Sequence, residues 1–443
     1  MISQRSTIIG KLRINPTVTN RTSKRIVIGA AARIVAITWI TLSGAIAEAA
    51  WVIEPAANVE TRYDDNVRGS ASNEESGTIN TLGGQARLRN VSDASEVSIM
   101  AGGSLSKYSG VDSFENDDRE SLFFEGRAQR RLERSQFQLR ASLRRQDLLR
   151  YFAVLEPVDA AGELGEQELE DMPIIEEPGV EDDLITGVDV DLGSVEELVQ
   201  RDSIRIEPSY SYQLSARNNI TLRYGFSDVS YDDPAQSNSL EDHRSHRASV
   251  ELARLISPLS SIAVQVEASR FEPEFNLDSD SVSIVATWRQ RLSERTTLSL
   301  GAGGRTTDND VYEDSGALFN ARIDRSTDTG SLYVTAERNL SPSGYGDQVE
   351  SDRITFGFRD KLSDRVSWRL NTRAFRTETI SQFQQDNSRD YLQVEPSVQW
   401  AFAKEWQVRL SYRYTWVDRE TDVDTVTSNS VGISLEYVPP RRL

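Results

Sequence analysis

The chain has 443 residues, of which 38% are hydrophobic, a formal net charge of −19 at pH 7, and no cysteine. The lack of cysteine excludes disulfides, thiolate metal sites, cysteine nucleophiles and a lipoprotein anchor. Net acidity of this size argues against general nucleic-acid binding. After residue 50 no apolar run approaches the roughly 18 residues of a transmembrane helix, so helical membrane spans are excluded there.

The first 49 residues have the pattern of an export signal. Seven Lys or Arg residues precede the apolar run Ile34 to Leu42, which ends in Ala45-Ile-Ala47-Glu-Ala49. A charged start, a short apolar run and small-x-small residues predict a signal peptide over residues 1–49, cleaved after Ala49 or Ala47. The alternative is an N-terminal membrane anchor. Cleavage removes seven basic residues and Glu48, which changes the formal charge from −19 to −25.

Residues 50–443 alternate apolar and polar side chains in short segments, such as Ile262 to Ala268 and Val282 to Trp288. A period of two is typical of strands with one apolar and one polar face. Counting from Ile53 to Tyr63 gives 18 such segments. The prediction is an all-β fold: a transmembrane antiparallel up-and-down β-barrel of about 18 strands. A soluble sandwich or solenoid is the alternative.

Short and long connections alternate between successive predicted strands. Three short turns share a Leu-Ser-x-Arg signature, at 214–217, 292–295 and 362–365, whereas longer polar segments include Asp64 to Asn80 and Arg305 to Ser315. Short periplasmic turns and long extracellular loops are the arrangement of outer-membrane barrels. An even strand count then places both ends of the mature chain on the periplasmic side.

The polar parity of the predicted strands, which would line the lumen, is rich in arginine. It holds nineteen arginines against nine glutamates: Glu60, Glu96, Glu125, Glu207, Glu251, Glu267, Glu337, Glu395 and Glu436. A cationic lumen attracts anions, and guanidinium groups hold carboxylate or phosphate bidentately. The alternative is that these arginines and glutamates only pair across strands. Thirteen candidate lumen-lining residues are Arg87, Arg89, Arg127, Arg131, Arg140, Arg144, Arg223, Arg289, Arg291, Arg369, Arg373, Arg409 and Arg413.

An acidic insert at residues 146–202 is predicted to be the third extracellular loop. From Glu156 to Asp202 it has 17 acidic residues and one basic residue, Arg201. It would either fold inward as a constriction or stay a disordered, solvated loop. Calcium binding is a weaker alternative, because no EF-hand spacing is present. The candidate constriction residues are Glu166, Glu168, Glu170, Asp171, Glu176, Glu177, Glu181, Asp182 and Asp183.

The remaining sequence contains one cluster that could serve catalysis. The two histidines lie in Asp242-His243-Arg244-Ser245-His246 at an outer strand end, where a barrel hydrolase could place a catalytic group. A solvated rim is the simpler interpretation, because a triad is recognised by geometry. Phosphate loops, zinc motifs and dinucleotide fingerprints are absent from the sequence. We therefore expect no enzyme activity and no cofactor.

The start of the mature chain resembles a known opening. Trp51-Val-Ile-Glu-Pro55, then Val59-Glu-Thr-Arg-Tyr63-Asp-Asp-Asn66 and the Leu-Ser-x-Arg turns, are similar to outer-membrane β-barrel porins encoded with exopolysaccharide and PEP-CTERM gene clusters. The resemblance implies a barrel that accompanies polysaccharide secretion, without functional residues to transfer. The long acidic third loop departs from that pattern.

Together these features favour a passive channel in the bacterial outer membrane, serving as the outer-membrane component of exopolysaccharide export. Its expected partners are outer-membrane lipid, anionic polysaccharide and periplasmic export components, and not nucleic acid. Two alternatives remain open beside the hydrolase. One is a small-solute, anion-preferring porin, and the other is a surface scaffold or adhesin with a plugged lumen.

Overall fold

The computed structural model describes residues 51–71, 74–111, 118–149, 198–232, 240–309, 311–380, 388–419 and 425–438. These residues form eighteen β-strands. They are β1 Trp51–Asp64, β2 Gly77–Val91, β3 Ser95–Ser109, β4 Asp118–Arg131, β5 Ser135–Leu149, β6 Leu198–Ser215, β7 Asn218–Asp232, β8 His243–Ser257, β9 Ser260–Pro273, β10 Ser279–Ser293, β11 Thr296–Asn309, β12 Tyr312–Ser326, β13 Gly330–Pro342, β14 Gln348–Ser363, β15 Val366–Thr379, β16 Arg389–Ala401, β17 Trp406–Arg419 and β18 Val426–Tyr437. Among the described residues, none belongs to a helix that is long and apolar enough to cross a membrane.

The sheet closes on itself. Every strand pairs antiparallel with its neighbours in sequence, and β18 also pairs with β1, for example Asn58 with Glu436. The predicted up-and-down barrel and its count of 18 strands are therefore confirmed. Closure leaves no strand edge unpaired at the seam, which a sheet in lipid requires.

The Leu-Ser-x-Arg signature builds the tight turns at one end of the barrel. The strand register shifts by one residue just before Ser215, Ser293 and Ser363, which marks a β-bulge. Each serine hydroxyl then accepts a hydrogen bond from the backbone N–H two residues later. The serine side chain thus closes the turn directly after the β-bulge, where the regular pairing of the two strands ends. We call this the short-turn end and the other the long-loop end.

Two predicted loops are shorter in the structure. The segment from Arg305 to Ser315 was expected to be a long polar loop, but β11 extends to Asn309 and β12 begins at Tyr312. The reason is that polar residues such as Thr306 and Thr307 continue the ladder with β12. Strands β5 and β6 likewise extend to Leu149 and from Leu198, so only residues 150–197 connect them.

The two faces of the wall differ in chemistry. On β10 the outward-facing Val282 and Ile284 are 53% and 54% exposed, whereas Ser281 on the same strand faces inward and is buried. Large apolar side chains are exposed on the outside of most strands, whereas Ala128, Leu139 and Ala141, at outward positions of β4 and β5, are buried. An apolar surface of this extent is unstable in water and is matched by lipid.

Candidate functional site in the barrel lumen

The structure places all thirteen arginines predicted to line the lumen at inward-facing positions of their strands. They lie on β2, β4, β5, β7, β10, β15 and β17. Side chains two residues apart on a strand point to the same face of the sheet. Each of these arginines lies an even number of residues from a buried or half-buried polar residue of its own strand, so it faces the same way. The alternation places them together on one face of the closed sheet.

Each of the nine lumen glutamates forms an ion pair with one arginine. The N···O distances run from 2.8 Å for Arg413–Glu395 to 3.8 Å for Arg205–Glu207. The other seven pairs are Arg62–Glu60, Arg89–Glu96, Arg127–Glu125, Arg223–Glu251, Arg247–Glu267, Arg353–Glu337 and Arg409–Glu436. The nineteen arginines exceed the nine glutamates by ten, and one of these ten, Arg322, is paired with Asp324 at 2.7 Å.

Further charged groups, which the alternation in the sequence does not indicate, lie at the ends of the inward faces. Among the residues whose side chains the structure describes, these are five basic groups and four carboxylates: Arg119, Arg201, Arg305, Lys361 and Arg389, with Glu54, Asp64, Asp314 and Asp324. They were missed because the apolar alternation fades toward the strand ends. These additions therefore do not reduce the excess of positive charge among the described inward-facing residues.

Arginines also face each other directly across strand pairs. Arg127 on β4 is the register partner of Arg140 on β5, and Arg359 on β14 is the partner of Arg369 on β15. Like charges placed directly opposite each other destabilise a sheet by about 0.2–1 kcal/mol. Internal ion pairing alone does not explain two pairs of directly opposed arginines. Arg127 is itself paired with Glu125 at 2.8 Å, and both arginine pairs place guanidinium groups side by side on the lumen wall, where mobile anions can approach them.

The long-loop end of the lumen is densely packed. Inward-facing Phe375, Tyr391, Val417 and Val426 form a buried apolar cluster, and Ala71 of the β1–β2 connection packs against it. The rings of Phe375 and Tyr391 are stacked with centroids 4.5 Å apart. The lumen is therefore narrowed at this end by its own wall and by a connecting loop.

The end of the β13–β14 hairpin, residues Asn339–Ser351, contributes to this packing and is called the hairpin tip below. The ladder between β12 and β13 covers only Phe319–Ser326 and Ser331–Arg338, whereas β13 and β14 stay paired up to Pro342 and Gln348. Above Phe319 the tip therefore separates from β12. Its contacts show where it goes: the Ser281 hydroxyl, on the inner face of β10, donates to Gln348 Oε1 at 3.3 Å. The hairpin tip thus lies inside the wall, against the inner faces of β10 and β11.

A buried arginine fixes the hairpin tip to the wall. Arg305 of β11, whose side chain is 3% exposed, donates to Asp314 Oδ2 at 2.8 Å and to Glu350 Oε2 at 3.0 Å. Glu350 also pairs with Arg338 at 3.1 Å, and Arg338 pairs with Asp352. Desolvated charges are stable only when they are paired in this way. This cluster ties β11, β12 and β14 together.

Glu241 joins the hairpin tip to two other connections. Its backbone N–H donates to the carbonyl of Gly344 at 2.8 Å, and its carboxylate accepts the backbone N–H groups of Phe275 and Asn276 at 3.2 Å. The Asn276 side chain donates to the carbonyl of Tyr345 at 2.9 Å. Burial raises the pKa of Glu241 above its ordinary value, although the two N–H donors oppose the shift. Gly346 has no Cβ to collide with this carboxylate, and its positive φ of 81° is a conformation that favours glycine.

A cavity of roughly 360 Å³ runs along the inner wall beneath the hairpin tip. Its lining comes from β8 to β13 and from the tip, and on β10 it extends from Ser281 to Arg289. Hydroxyl-bearing side chains recur along this wall, whereas the opposed arginine pairs lie on β4, β5, β14 and β15. Arginines line this cavity as well, among them Arg247, Arg289 and Arg322, so hydroxyl and guanidinium groups share the same wall.

The histidine motif is divided between the two faces of the wall. His243 faces inward, is 3% exposed, and lies 3.1 Å from the Glu241 carbonyl through Nδ1. His246 lies 2.8 Å from the Tyr224 hydroxyl, on the outward parity. Ser245 shares a hydrogen bond with Ser227. Among the contacts of the described residues, no Asp–His–Ser triad is assembled by this motif.

Several predictions concern residues outside the described ranges. The signal peptide, residues 1–49, and the nine candidate constriction residues from Glu166 to Asp183 both lie there. Within the described part of the chain, no group of three or more His, Asp or Glu residues is arranged to hold a metal ion. The acidic insert therefore stays a prediction.

No protein-family model matches the sequence, and no curated protein matches it. Solved structures with a similar strand architecture include a BenF-like porin from Pseudomonas fluorescens Pf-5, at 10% identity and a TM-score of 0.46, covering 88% of this chain and 99% of that one. Pseudomonas aeruginosa OccK9 (OpdG) has 11% identity and a TM-score of 0.43, with 89% and 99% covered. The siderophore receptor PirA from Pseudomonas aeruginosa has 7% identity and a TM-score of 0.39, with 87% and 80% covered. Likenesses at this level carry no information on solute or mechanism.

Proposed function

We propose that the protein is a porin-type channel of the bacterial outer membrane that passes small solutes and prefers anions. The supporting observation is the charge balance of the lumen, in which every predicted lumen glutamate is already paired and arginines remain in excess. A water-filled bore of net positive charge concentrates anions and repels cations. The closed sheet and its exposed apolar outer face support a location in lipid.

Small solutes are favoured over a polymer because of the long-loop end. Export of an exopolysaccharide, which the sequence resemblance implied, requires a wide and continuous bore. The hairpin tip and the cluster around Phe375 fill part of the lumen with packed side chains instead. A scaffold with a plugged lumen would not require opposed arginine pairs, which reduce the stability of the wall.

Solute uptake into proteoliposomes tests this proposal. Wild-type protein should admit small monovalent carboxylates faster than cationic amines of equal size, as followed by osmotic swelling. Replacing one opposed pair, R359Q/R369Q, removes two positive charges and should reduce the difference. The matched control R409Q/E436Q removes an ion pair without changing net charge, so the difference should persist. Equal rates for anions and cations in the wild type would contradict the proposal.

A further inference from the structure

The lining of the cavity differs between the continuous wall and the place where the hairpin tip leaves it. On β10 only every second residue lines the cavity, from Ser281 to Arg289, as one face of a strand does. On β12 the lining runs without interruption over residues 318–322, and on β13 over residues 335–342. It therefore includes outward-facing residues, which a cavity inside a closed wall can contact only where the wall opens. The cavity thus reaches the point at which β12 and β13 separate.

The separation leaves one edge of β12 without a ladder. Residues Tyr312 to Leu318 pair with β11, whereas the ladder with β13 begins at Phe319. The hairpin tip passes on the inner side of β12, because a Cβ added to Gly316 would lie 2.8 Å from the Glu350 carboxylate. Among the described residues, no other strand continues the ladder on this edge. Its backbone groups need a polar environment, which the hydrocarbon of a bilayer does not provide.

The gap between β12 and β13 begins at the boundary of the apolar outer surface. Phe319 is exposed on the outward face of β12, and its register partner on β13 is Arg338. The same outward row continues with Asp352 on β14 and Arg376 on β15. The next outward residue of β14 toward the short-turn end is the exposed Ile354. The gap therefore starts where apolar side chains give way to charged ones, which is the level of lipid headgroups.

The lining beside the gap combines apolar and uncharged polar side chains. Apolar residues there are Leu318, Phe319, Leu340 and Pro342, and the amides and hydroxyl are those of Asn320, Asn339 and Ser341. The charged lining residues of β12 and β13 have partners of opposite sign: Arg322 with Asp324, Glu337 with Arg353, and Arg338 with Glu350 and Asp352. These features match a hydrocarbon chain joined to an uncharged, hydrogen-bonding head.

We propose that the gap between β12 and β13 is a lateral entrance, through which a single-chain amphiphile with an uncharged head passes between the outer leaflet and the cavity. The head enters at headgroup level, so it does not cross the hydrocarbon region, and the chain contacts Phe319 and Leu340. The proposal rests on the proposed function, since it adds a second route of entry to the same channel, with the long-loop end outside.

Single cysteines test the entrance, because the chain has none of its own. V285C faces the cavity on β10, and S104C faces the lumen on β3, away from the gap. The protein is placed in vesicles, and each variant reacts with N-dodecylmaleimide, which dissolves in the bilayer, or with N-(2-hydroxyethyl)maleimide, which dissolves in water. The ratio of the two rates should be about tenfold higher for V285C than for S104C.

Two substitutions on β13 test whether the reagent passes through the gap. In the V285C background, L340Q makes the entrance more polar and should lower the rate ratio severalfold, because a hydrocarbon chain loses an apolar contact. The matched control L332Q makes the same change on the outward face of β13, nearer the short-turn end, and should leave the ratio unchanged. Far-UV circular dichroism verifies the folding of every variant.

V264C separates this proposal from the location of the barrel. Val264 is exposed on the outward face of β9, so V264C should react readily with N-dodecylmaleimide in any barrel that spans the bilayer.

Equal rate ratios for V285C and S104C, with V264C reactive, would overturn the lateral entrance. Equal effects of L340Q and L332Q would overturn it as well, because the reagent would then reach the cavity by another path. Loss of anion preference in the swelling assay would instead refute the proposed function without altering these ratios. The two failures are therefore distinguishable.

Discussion

Glu350→Gln should loosen the hairpin tip from the inner wall. In the structure Glu350 is one of two carboxylates that compensate Arg305, whose side chain is 3% exposed. Removing a partner from a buried pair costs up to 3–5 kcal/mol, but here Asp314 remains bound to the guanidinium. Loss of one hydrogen bond to a charged group then costs about 2 kcal/mol, which shifts the equilibrium between docked and undocked tip by roughly thirtyfold.

Single-channel recording measures this shift. If the docked tip narrows the lumen, E350Q should spend more time in states of higher conductance than the wild type. The control is E378Q, because Glu378 is the register partner of Glu350 on β15 but its side chain is 56% exposed. E378Q should behave as the wild type. Identical records for E350Q and the wild type would refute a role for the tip in setting conductance.

A cross-link provides the converse test of the same contact. The chain has no cysteine, so S281C/Q348C introduces the only two thiols. A short bifunctional thiol reagent that joins β10 to the hairpin tip should remove the additional high-conductance states of E350Q. Persistence of those states after complete cross-linking would show that they arise elsewhere.

Three further predictions concern the lipid face, the loops and salt. V264R places a charge on the outward face of β9 and should destabilise the folded barrel in lipid by about 2–4 kcal/mol. Q265R, on the inward face of the same strand, should be tolerated. Denaturant titration in vesicles measures the free energy of unfolding of both variants. Burial raises the pKa of Glu241, so its neutral form is favoured when folded, and its contribution to stability is lost as pH rises through that raised value. E241Q should therefore increase the melting temperature at pH 7 and change nothing below the unfolded pKa, at about pH 3. Anion preference should decrease between 0.1 M and 1 M KCl, because the screening length falls from about 10 Å to about 3 Å, and a preference independent of salt would contradict a field effect.

The strand architecture was predictable because it depends on residues that are close together in sequence. A period of two specifies which side chains share a face, and the Leu-Ser-x-Arg turns fix where neighbouring strands reverse. The thirteen arginines follow from the same rule. What this rule misses is the strand ends, where Arg305 and Asp314 continue an inward face after the apolar alternation has faded.

The hairpin tip could not be predicted because its position depends on contacts between distant residues. Arg305 and Glu350 are 45 residues apart in sequence. The residues around each of them do not indicate that a strand leaves the barrel wall. One signal was available: Arg338, Glu350 and Asp352 stand at outward parity, where lipid-facing residues are expected. Charged residues at three such positions indicate a segment that faces something other than lipid.

The zero-current potential across a planar bilayer tests the central claim most directly. With wild-type protein and a tenfold KCl gradient at low ionic strength, the sign should be that of chloride preference, with a magnitude below the limit of about 59 mV for perfect selectivity. R359Q/R369Q should move the potential toward zero, and R409Q/E436Q should leave it unchanged. A potential of the opposite sign in the wild type would show that the excess of arginine in the lumen does not control which ions pass.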